Sequence, residues 1–391
     1  MAEQPSFTYQ GVAHRMVCGR DSIVSLRDEV ERLGAKRAMV ICGPSILKHS
    51  DVVGRVQKAL GDKYVGIFSG VQPHVPLETI APAAESAKEL KADVFISVGG
   101  GSTHDTSRCM GILLAEGGSL RDHGIRFESP EKRIVPTLPH PKMPTIAVST
   151  TFGAAEFGGS GGFSDKELGR YVQVNDPKSA PKVKVIDGMA LATTPVSILL
   201  STGIGQLRVA IENIYSKEHN PISDALSLHA VKLLKKLLPL CAEKDVDMLL
   251  QAKIAAGLPA IAKIAKGLNT AMAHQIGGIY DVDHGVANAI PLPHTMRFNL
   301  DASAEQQALI AEALGVDVAK LSDKEAGLAA ADEVAALTKM LGIPTRLRDV
   351  GVPENSLEAI AKNTMHDKHI PTNPKPITSY EQILGVLRQA W

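Results

Sequence analysis

The stretch Val94-Phe95-Ile96-Ser97-Val98-Gly99-Gly100-Gly101-Ser102-Thr103-His104-Asp105 decides how this sequence of 391 residues folds. A run typical of a buried strand ends in three consecutive glycines, and a helical pattern follows from 106 to 116. Glycines in such a turn let a phosphate or another anion approach the backbone, where the first N–H groups and the dipole of the helix favour it. The turn lacks the G-x-G-x-x-G spacing, so a tight turn without a ligand stays an alternative.

Strand and helix patterns divide the sequence into two halves. Short β-branched or apolar runs alternate with helical patterns between 36 and 187; the runs are 37–42, 64–68, 94–98, 145–148 and 183–186. This alternation predicts a parallel sheet that is covered by helices on both faces. After Pro195 only helical patterns recur, at 224–240, 246–264, 304–314 and 324–341. We therefore predict an α/β domain over 1–188 and an all-helical domain over 189–391.

Composition and charge exclude several classes of function. Lys and Arg together number 42, as do Asp and Glu, and no basic stripe occurs, which argues against a nucleic-acid partner. The four cysteines are scattered and contain no C-x-x-C pair, which favours free thiols in a reducing compartment. No apolar run is long enough to span a membrane, and the N-terminus lacks signal-peptide features. We expect a cytoplasmic protein that binds a small molecule.

A second loop with hydroxyl groups follows the run at 145–148. It reads Ser149-Thr150-Thr151-Phe152-Gly153-Ala154-Ala155-Glu156. In open α/β sheets, ligands bind at the carboxyl ends of the strands. We expect this loop and the glycine turn to line one ligand site, although an ordinary connecting loop would show the same composition.

Histidines recur in the segment 267–294 of the helical half, where His274, His284 and His294 are ten residues apart. Each of them, taken singly, fits a structural role at least as well as a chemical one. The spacing does not include the i,i+4 histidine pair of the H-E-x-x-H metal motif.

The sequence resembles the iron-containing (group III) alcohol dehydrogenase superfamily. Five motifs carry the resemblance in order and spacing, and they lie at 99–105, 150–151, 202–212, 267–294 and 373–376. The resemblance implies a dinucleotide-binding α/β domain, a helical domain that closes the active-site cleft, a fold related to dehydroquinate synthase, and a homodimer. The implied cofactor-binding residues are Gly43, Gly99, Gly100, Gly101, Ser102, Asp105, Thr150 and Thr151.

The same resemblance indicates that a metal site has been lost. The family usually holds one divalent metal with an Asp and a His at i and i+4 of one helix and two later histidines. Gly205, Val209 and Thr270 occupy the first three of these positions, and His284 alone matches. Glycine, valine and threonine cannot replace a carboxylate and two imidazoles as ligands. We predict that no iron or zinc is bound.

Within the superfamily, the maleylacetate reductase branch is the most similar, on the 149–156 loop and on 34–44 and 220–226. We predict a metal-independent, NAD(P)H-dependent reductase of a small, anionic oxo acid or enone. His274 and His284 match positions that face the reaction site and are the candidate proton donors. A lyase-type enzyme on this scaffold and a dinucleotide-binding protein without catalysis are the alternatives.

Substrate and cofactor preference rest on a few positions. Arg208, Phe152 and Thr270 are the candidate substrate-binding residues, with Arg208 binding a carboxylate; an Arg208–Glu212 pair on the helix surface is the alternative. Gly43 stands where alcohol dehydrogenases often carry an Asp that favours NAD. Because that carboxylate is missing, NADPH is not excluded as the cofactor, and we favour NADH.

Overall fold

The computed structural model describes residues 15–127, 133–262 and 264–391. The N-terminal residues that bear on the predicted absence of a signal peptide lie outside these ranges. The chain forms two compact units, of which one comprises His14–Pro195 with Lys244–Lys253 and the other Val196–Glu243 with Ile254–Trp391. The division falls seven residues later than the predicted boundary after 188, and one helical segment of the second half packs with the first unit.

The first unit is built on a parallel sheet of six strands in the order β1-β10-β7-β4-β2-β3. Its strands are β1 (Arg15–Gly19), β2 (Ala38–Cys42), β3 (Tyr64–Phe68), β4 (Val94–Gly99), β7 (Thr145–Ser149) and β10 (Val183–Asp187). Two further sheets are short antiparallel pairs, β5 (Arg126–Phe127) with β6 (Arg133–Ile134) and β8 (Ser160–Asp165) with β9 (Arg170–Asn175). Every residue of β2, β4, β7 and β10 is buried. Continuous apolar runs of this kind are typical of parallel strands that are covered on both faces.

Helices follow most of these strands. They are α1 (Leu26–Arg32), α2 (Pro44–His49), α3 (Val52–Leu60), α4 (Ile80–Glu89), α5 (Gly101–Glu116) and α6 (Gly188–Ala192). Two apolar clusters flank the sheet, one containing Val40, Ile96 and Val148 and the other Met39, Phe95 and Met110. Alternate residues of β2 and β4 enter opposite clusters, as the period of two along a strand requires.

The structure differs from the sequence prediction at particular elements. Helix α5 begins at Gly101 and not at Thr106, so Ser102 and Asp105 lie on its first turns. The edge strand β1 and the β8–β9 hairpin were missed. The residues of β1 are exposed or half-buried, and those of β8 are rich in glycine and serine, so neither segment has the apolar run of a central strand.

The second unit is helical throughout its described residues. Its helices are α7 (Val196–Tyr215), α8 (Pro221–Leu237), the last part of α9 (Val246–Ile261), α10 (Leu268–Tyr280), α11 (His284–Ala289), α12 (Leu292–Ala313), α13 (Asp323–Met340), α14 (Leu357–Thr364) and α15 (Tyr380–Ala390). Capping boxes at Asn220 and Ser322 begin α8 and α13. Among the described residues, no helix is long and apolar enough to cross a membrane.

Helices α7 and α11 approach each other closely at Gly285. A Cβ placed there would overlap the backbone carbonyl of Ser201. Because the obstructing atom belongs to the backbone, it cannot be displaced by a change of rotamer. This contact sets the position of α11, and with it His284, against α7.

We predict that Gly285→Ala lowers the free energy of unfolding by about 2 kcal/mol, because the added methyl group forces the two helices apart. Gly385→Ala is the matched control. Gly385 lies in α15 with open space around a would-be Cβ, and its replacement should be neutral or stabilising by about 0.5–1 kcal/mol. Urea unfolding of both variants measures the difference, and equal midpoints would contradict the packing account.

Candidate active site

The strand order creates a crevice at the carboxyl ends of β2 and β4. The chain leaves β2 towards β3 on one side and returns to place β4 on the other side. Cys42 pairs with Val98 in the register, so Gly43 and Gly99 follow adjacent positions. Ligands of open α/β sheets bind where the strand order reverses in this way. The structure thus brings two of the predicted cofactor-binding turns together.

The glycine turn packs in a way that requires glycine. Gly99 has a φ of 153°, and a Cβ there would overlap the side chain of Thr103. A Cβ on Gly100 would lie 3.1 Å from the Oγ1 and Cγ2 atoms of Thr151, in the second predicted loop. Helix α5 starts at Gly101 and is 16 residues long. Its first N–H groups therefore lie directly beside the turn, which is the arrangement that binds phosphate groups.

The loop after β7 is fixed at several points. The Thr150 N–H donates to the Gly99 carbonyl at 3.0 Å, and the Thr150 carbonyl accepts from Thr194 Oγ1 at 2.7 Å. The Lys253 ammonium lies 2.5 Å from the Glu156 carboxylate and also donates to the Gly153 carbonyl. Both charged side chains are fully buried, so each needs the other. Sequence reasoning missed this pair, which is separated by almost a hundred residues.

Phe152 does not occupy the place predicted for it. Its side chain is fully buried and counts among the largest buried side chains of the chain. A side chain without exposed surface does not line an open site, so the structure does not support Phe152 as a substrate-binding residue.

Asp105 and Arg108 tie the start of α5 to its surroundings. Arg108 donates to Asp105, to the Ala155 carbonyl at 2.9 Å and to the Gly158 carbonyl at 2.8 Å. Burial raises the pKa of the Asp105 carboxyl, against the opposite effect of Arg108. Tyr171 donates a further hydrogen bond to Asp105 at 3.3 Å. Arg108 therefore fixes the start of α5 to the segment after β7.

His104 lies beneath the glycine turn, between two strands. Its Nδ1 is 2.8 Å from Ser97 Oγ on β4, and its Nε2 is 3.4 Å from Ser149 Oγ on β7. Burial lowers the pKa of His104 from its ordinary 6.5 to about 4, so the ring is neutral at pH 7. This role was missed, because the contact with Ser149 depends on the pairing of β4 with β7.

We predict that His104 makes folding sensitive to mild acid. Its pKa is depressed by folding, so its contribution is complete above the unfolded-state value near 6.5 and is lost as the pH falls towards about 4. Between pH 7 and pH 5 the wild type should lose about 2 kcal/mol more than His104→Gln. Urea unfolding at both pH values measures this, and parallel losses in the two proteins would contradict it.

Three of the four positions that match the family's metal ligands carry no metal-binding side chain. A Cβ on Gly205 would lie 3.6 Å from the Gly285 Cα, so backbone of α11 fills the space beside α7. Val209 is 8% exposed. Thr270 accepts a hydrogen bond of 2.6 Å from Arg208 Nη1. Across the described residues, no group of three His, Cys, Asp or Glu side chains is arranged to hold a metal ion. These residues do not fit a divalent metal.

A buried carboxylate organises this region. Glu212 is 1% exposed and accepts from the N–H groups of Gly267 and Thr270 at 3.1 and 3.3 Å, at the start of α10. Its other oxygen accepts from Thr270 Oγ1 at 2.5 Å and from Arg208 Nη1 at 3.1 Å. The predicted alternative of a surface Arg208–Glu212 pair is therefore wrong, because both side chains are buried.

His274 and His284 are brought together as a stacked pair. Their ring centroids are 6.4 Å apart with an angle of 17° between the planes, and His369 lies 6.0 Å from His274. His274 Nδ1 is 2.7 Å from Asp367 Oδ2. Burial acts to raise the pKa of Asp367, but His274 and His369 hold it well below its usual range, so it is ionised. Asp367 and His369 were missed, although they closely precede the recognised motif at 373–376.

Comparison with known proteins decides the family. Residues 13–188 match the iron-containing alcohol dehydrogenase domain, and residues 199–391 match the C-terminal domain of the Fe-containing alcohol dehydrogenase family. The chain belongs to the iron-containing alcohol dehydrogenase family. The resemblance and the fold class predicted from the sequence are confirmed. Membership makes the chain an oxidoreductase.

Two curated relatives illustrate the similarity. The lactaldehyde reductase of Escherichia coli K12 is 31% identical, with 97% of this chain and 100% of the relative covered. The NAD-dependent methanol dehydrogenase of Bacillus methanolicus is 29% identical, with 96% and 97% covered. Both alignments run through the two units.

Solved structures agree on the fold. A 1,3-propanediol oxidoreductase has a TM-score of 0.90 at 28% identity, covering 98% of this chain and all of the other. A maleylacetate reductase from Rhizobium sp. strain MTP-10005 has a TM-score of 0.79 at 25% identity, covering 100% and 99%. The branch predicted from the sequence is therefore among the structural neighbours.

Proposed function

We propose that this protein is a metal-independent, NAD(P)H-dependent reductase of a small anionic oxo acid or enone. The observation that carries the proposal is the hydrogen bond from the buried guanidinium of Arg208 to Thr270, the residue at one of the family's metal-ligand positions. A metal in this fold would polarise the oxygen of the substrate. Arg208 is paired with Glu212 and supplies N–H donors in this region, and hydrogen-bond donors can stabilise a developing oxyanion in place of a metal.

The dinucleotide fits the glycine turn of the α/β unit. We propose that the backbone at Gly99–Gly101 and the side chain of Ser102 hold its phosphates, with Thr151 and Gly43 lining the same end of the sheet. A reduced nicotinamide supplies a hydride when bound. NADH is favoured over NADPH, and the NAD-dependent relative supports that preference.

The proton is proposed to come from His274. Its Nδ1 is paired with the ionised Asp367, which orients the ring, and the doubly protonated ring carries its other proton on Nε2. Nε2 is then the nitrogen that donates a proton to the oxygen of the substrate. His284, stacked on His274, is the second candidate donor.

The proposed activity is tested by mixing the purified protein with NADH or NADPH and a panel of small oxo acids that includes maleylacetate. We expect oxidation of the cofactor at rates that do not change after prolonged treatment with a chelator. Loss of activity on chelation, with recovery on adding iron or zinc, would contradict metal independence. Binding of the cofactor without turnover of any compound would favour a non-catalytic protein.

We predict that His274→Gln slows turnover of the accepted oxo acid by about a hundredfold or more, as expected when a general acid is removed. His284→Gln should have a smaller effect, because His274 retains its Asp367 partner. His229→Gln, an exposed position on α8, is the matched control. A pre-steady-state measurement of cofactor oxidation checks the chemical step, and a His274→Gln rate equal to the control would overturn the assignment.

A further inference from the structure

Lys266 lies between α9 and α10. Its backbone is fixed beside the histidine cluster, which consists of His274, His284 and His369. Its N–H donates to His369 Nδ1 at 3.1 Å, and its carbonyl accepts from Thr372 Oγ1 at 2.6 Å. Its side chain is partly exposed. The chain thus places a lysine next to the proposed proton-donating groups, at a position to which the sequence assigned no role.

The carboxylates around Lys266 are already engaged with other groups. Glu212 accepts from Arg208, Asp367 is paired with His274, and Glu218 accepts from the Ala265 N–H at 3.2 Å. Among the described residues, no carboxylate oxygen lies within 4.0 Å of the Lys266 ammonium. The ammonium donates to the Ile264 carbonyl, which leaves two of its three N–H groups for another acceptor.

The positive charge of Lys266 is only partly balanced by the negative charges around it. Burial, followed by the charges of Arg208 and Lys368, lowers its pKa from 10.5 to about 8 against the opposite effect of Glu212 and Glu218. The groups that face it are Arg208 and Glu212 from α7, Glu218 from the segment after α7, and Lys368 and His369 from the segment after α14. A cation in such surroundings is stabilised by a bound anion.

Arg208 is less suited to this task than the sequence indicated. It is 4% exposed, and one terminal nitrogen is committed to both Glu212 and Thr270. Its positive charge is neutralised within the fold, whereas that of Lys266 is not. A half-buried lysine with unused N–H donors is the better partner for the carboxylate of a substrate.

We propose that Lys266 binds the carboxylate of the substrate. The identity of the ligand rests on the proposed reductase function, whereas the anion site rests on the geometry around Lys266 alone. Lys266 therefore selects anionic substrates, whereas Arg208 holds Thr270 and Glu212 in place.

Binding at Lys266 is linked to protonation. Only the ammonium attracts an anion, so at pH values above the free pKa of about 8 the lysine must take up a proton when the anion binds. Affinity should be constant below pH 7.5 and should fall about tenfold per pH unit well above pH 8. An arginine at this position stays charged throughout this range.

The test uses the full-length protein and propionate, a carboxylate without a reducible carbonyl, with neutral propionamide as its control. Titration calorimetry in buffers of different ionisation enthalpy is run from pH 7 to pH 9.5. We expect propionate to bind with proton uptake near pH 8.5, Lys266→Met to weaken it at least about tenfold at pH 7, and Lys266→Arg to bind without the loss above pH 8. Lys324→Met, an exposed lysine paired with Asp301, is the matched control.

Several results would overturn the proposal. These are equal affinity for propionate and propionamide, unchanged binding in Lys266→Met, or tighter binding of inorganic phosphate than of propionate at the same site. The outcome is separable from the reductase assay. Turnover of oxo acids with a KM that is unchanged in Lys266→Met refutes the carboxylate site alone, whereas propionate binding at Lys266 without turnover of any oxo acid refutes the reductase function alone.

Discussion

The helical unit depends on the buried carboxylate of Glu212. A buried carboxylate is costly unless it is fully hydrogen-bonded, and Glu212 receives two backbone N–H groups, one hydroxyl and one guanidinium. Two of these donors belong to the first turn of α10, where a negative charge also complements the helix dipole. Asn373 accepts from the Leu268 N–H at the same helix start. The start of α10, and hence the direction of Thr270 and His274 one turn apart, follows from these contacts.

This arrangement also sets the chain apart from the metal-ligand pattern of its family. Gly205, Arg208, Val209 and Glu212 share one face of α7, since they are spaced by three and four residues. Where a metal-binding chain would carry a carboxylate and an imidazole on this face, this chain has a glycine against α11 and a valine. Arg208, which lies between these two residues in the sequence, donates a hydrogen bond to Thr270. The region therefore offers hydrogen-bond donors, whereas three of the family's four metal-ligand positions carry no metal-binding side chain.

Two kinds of feature could be predicted from the sequence, namely those that depend on neighbouring residues and those that belong to a motif of the family. The run Val94–Val98 with its glycines gave the strand, the turn and the helix, since each depends on neighbouring residues. His274 and His284, which form the stacked pair, were identified as site residues through the resemblance to the family. Asp367 and Lys266 were not found, because each reaches the cluster through a loop whose path depends on tertiary contacts. The pair of Lys253 and Glu156 was not found because it joins α9 to the loop after β7, which are far apart in the sequence, and Phe152 was misplaced because its loop folds it inwards.

We propose that the guanidinium of Arg208 and the pair His274 and His284 replace the metal of this family. The most direct test is to measure the iron and zinc content of the protein by elemental analysis, on the same preparation whose oxo acid turnover has been established. The account predicts full activity with far less than one equivalent of either metal per chain. One equivalent of iron or zinc that accompanies activity through purification would contradict it.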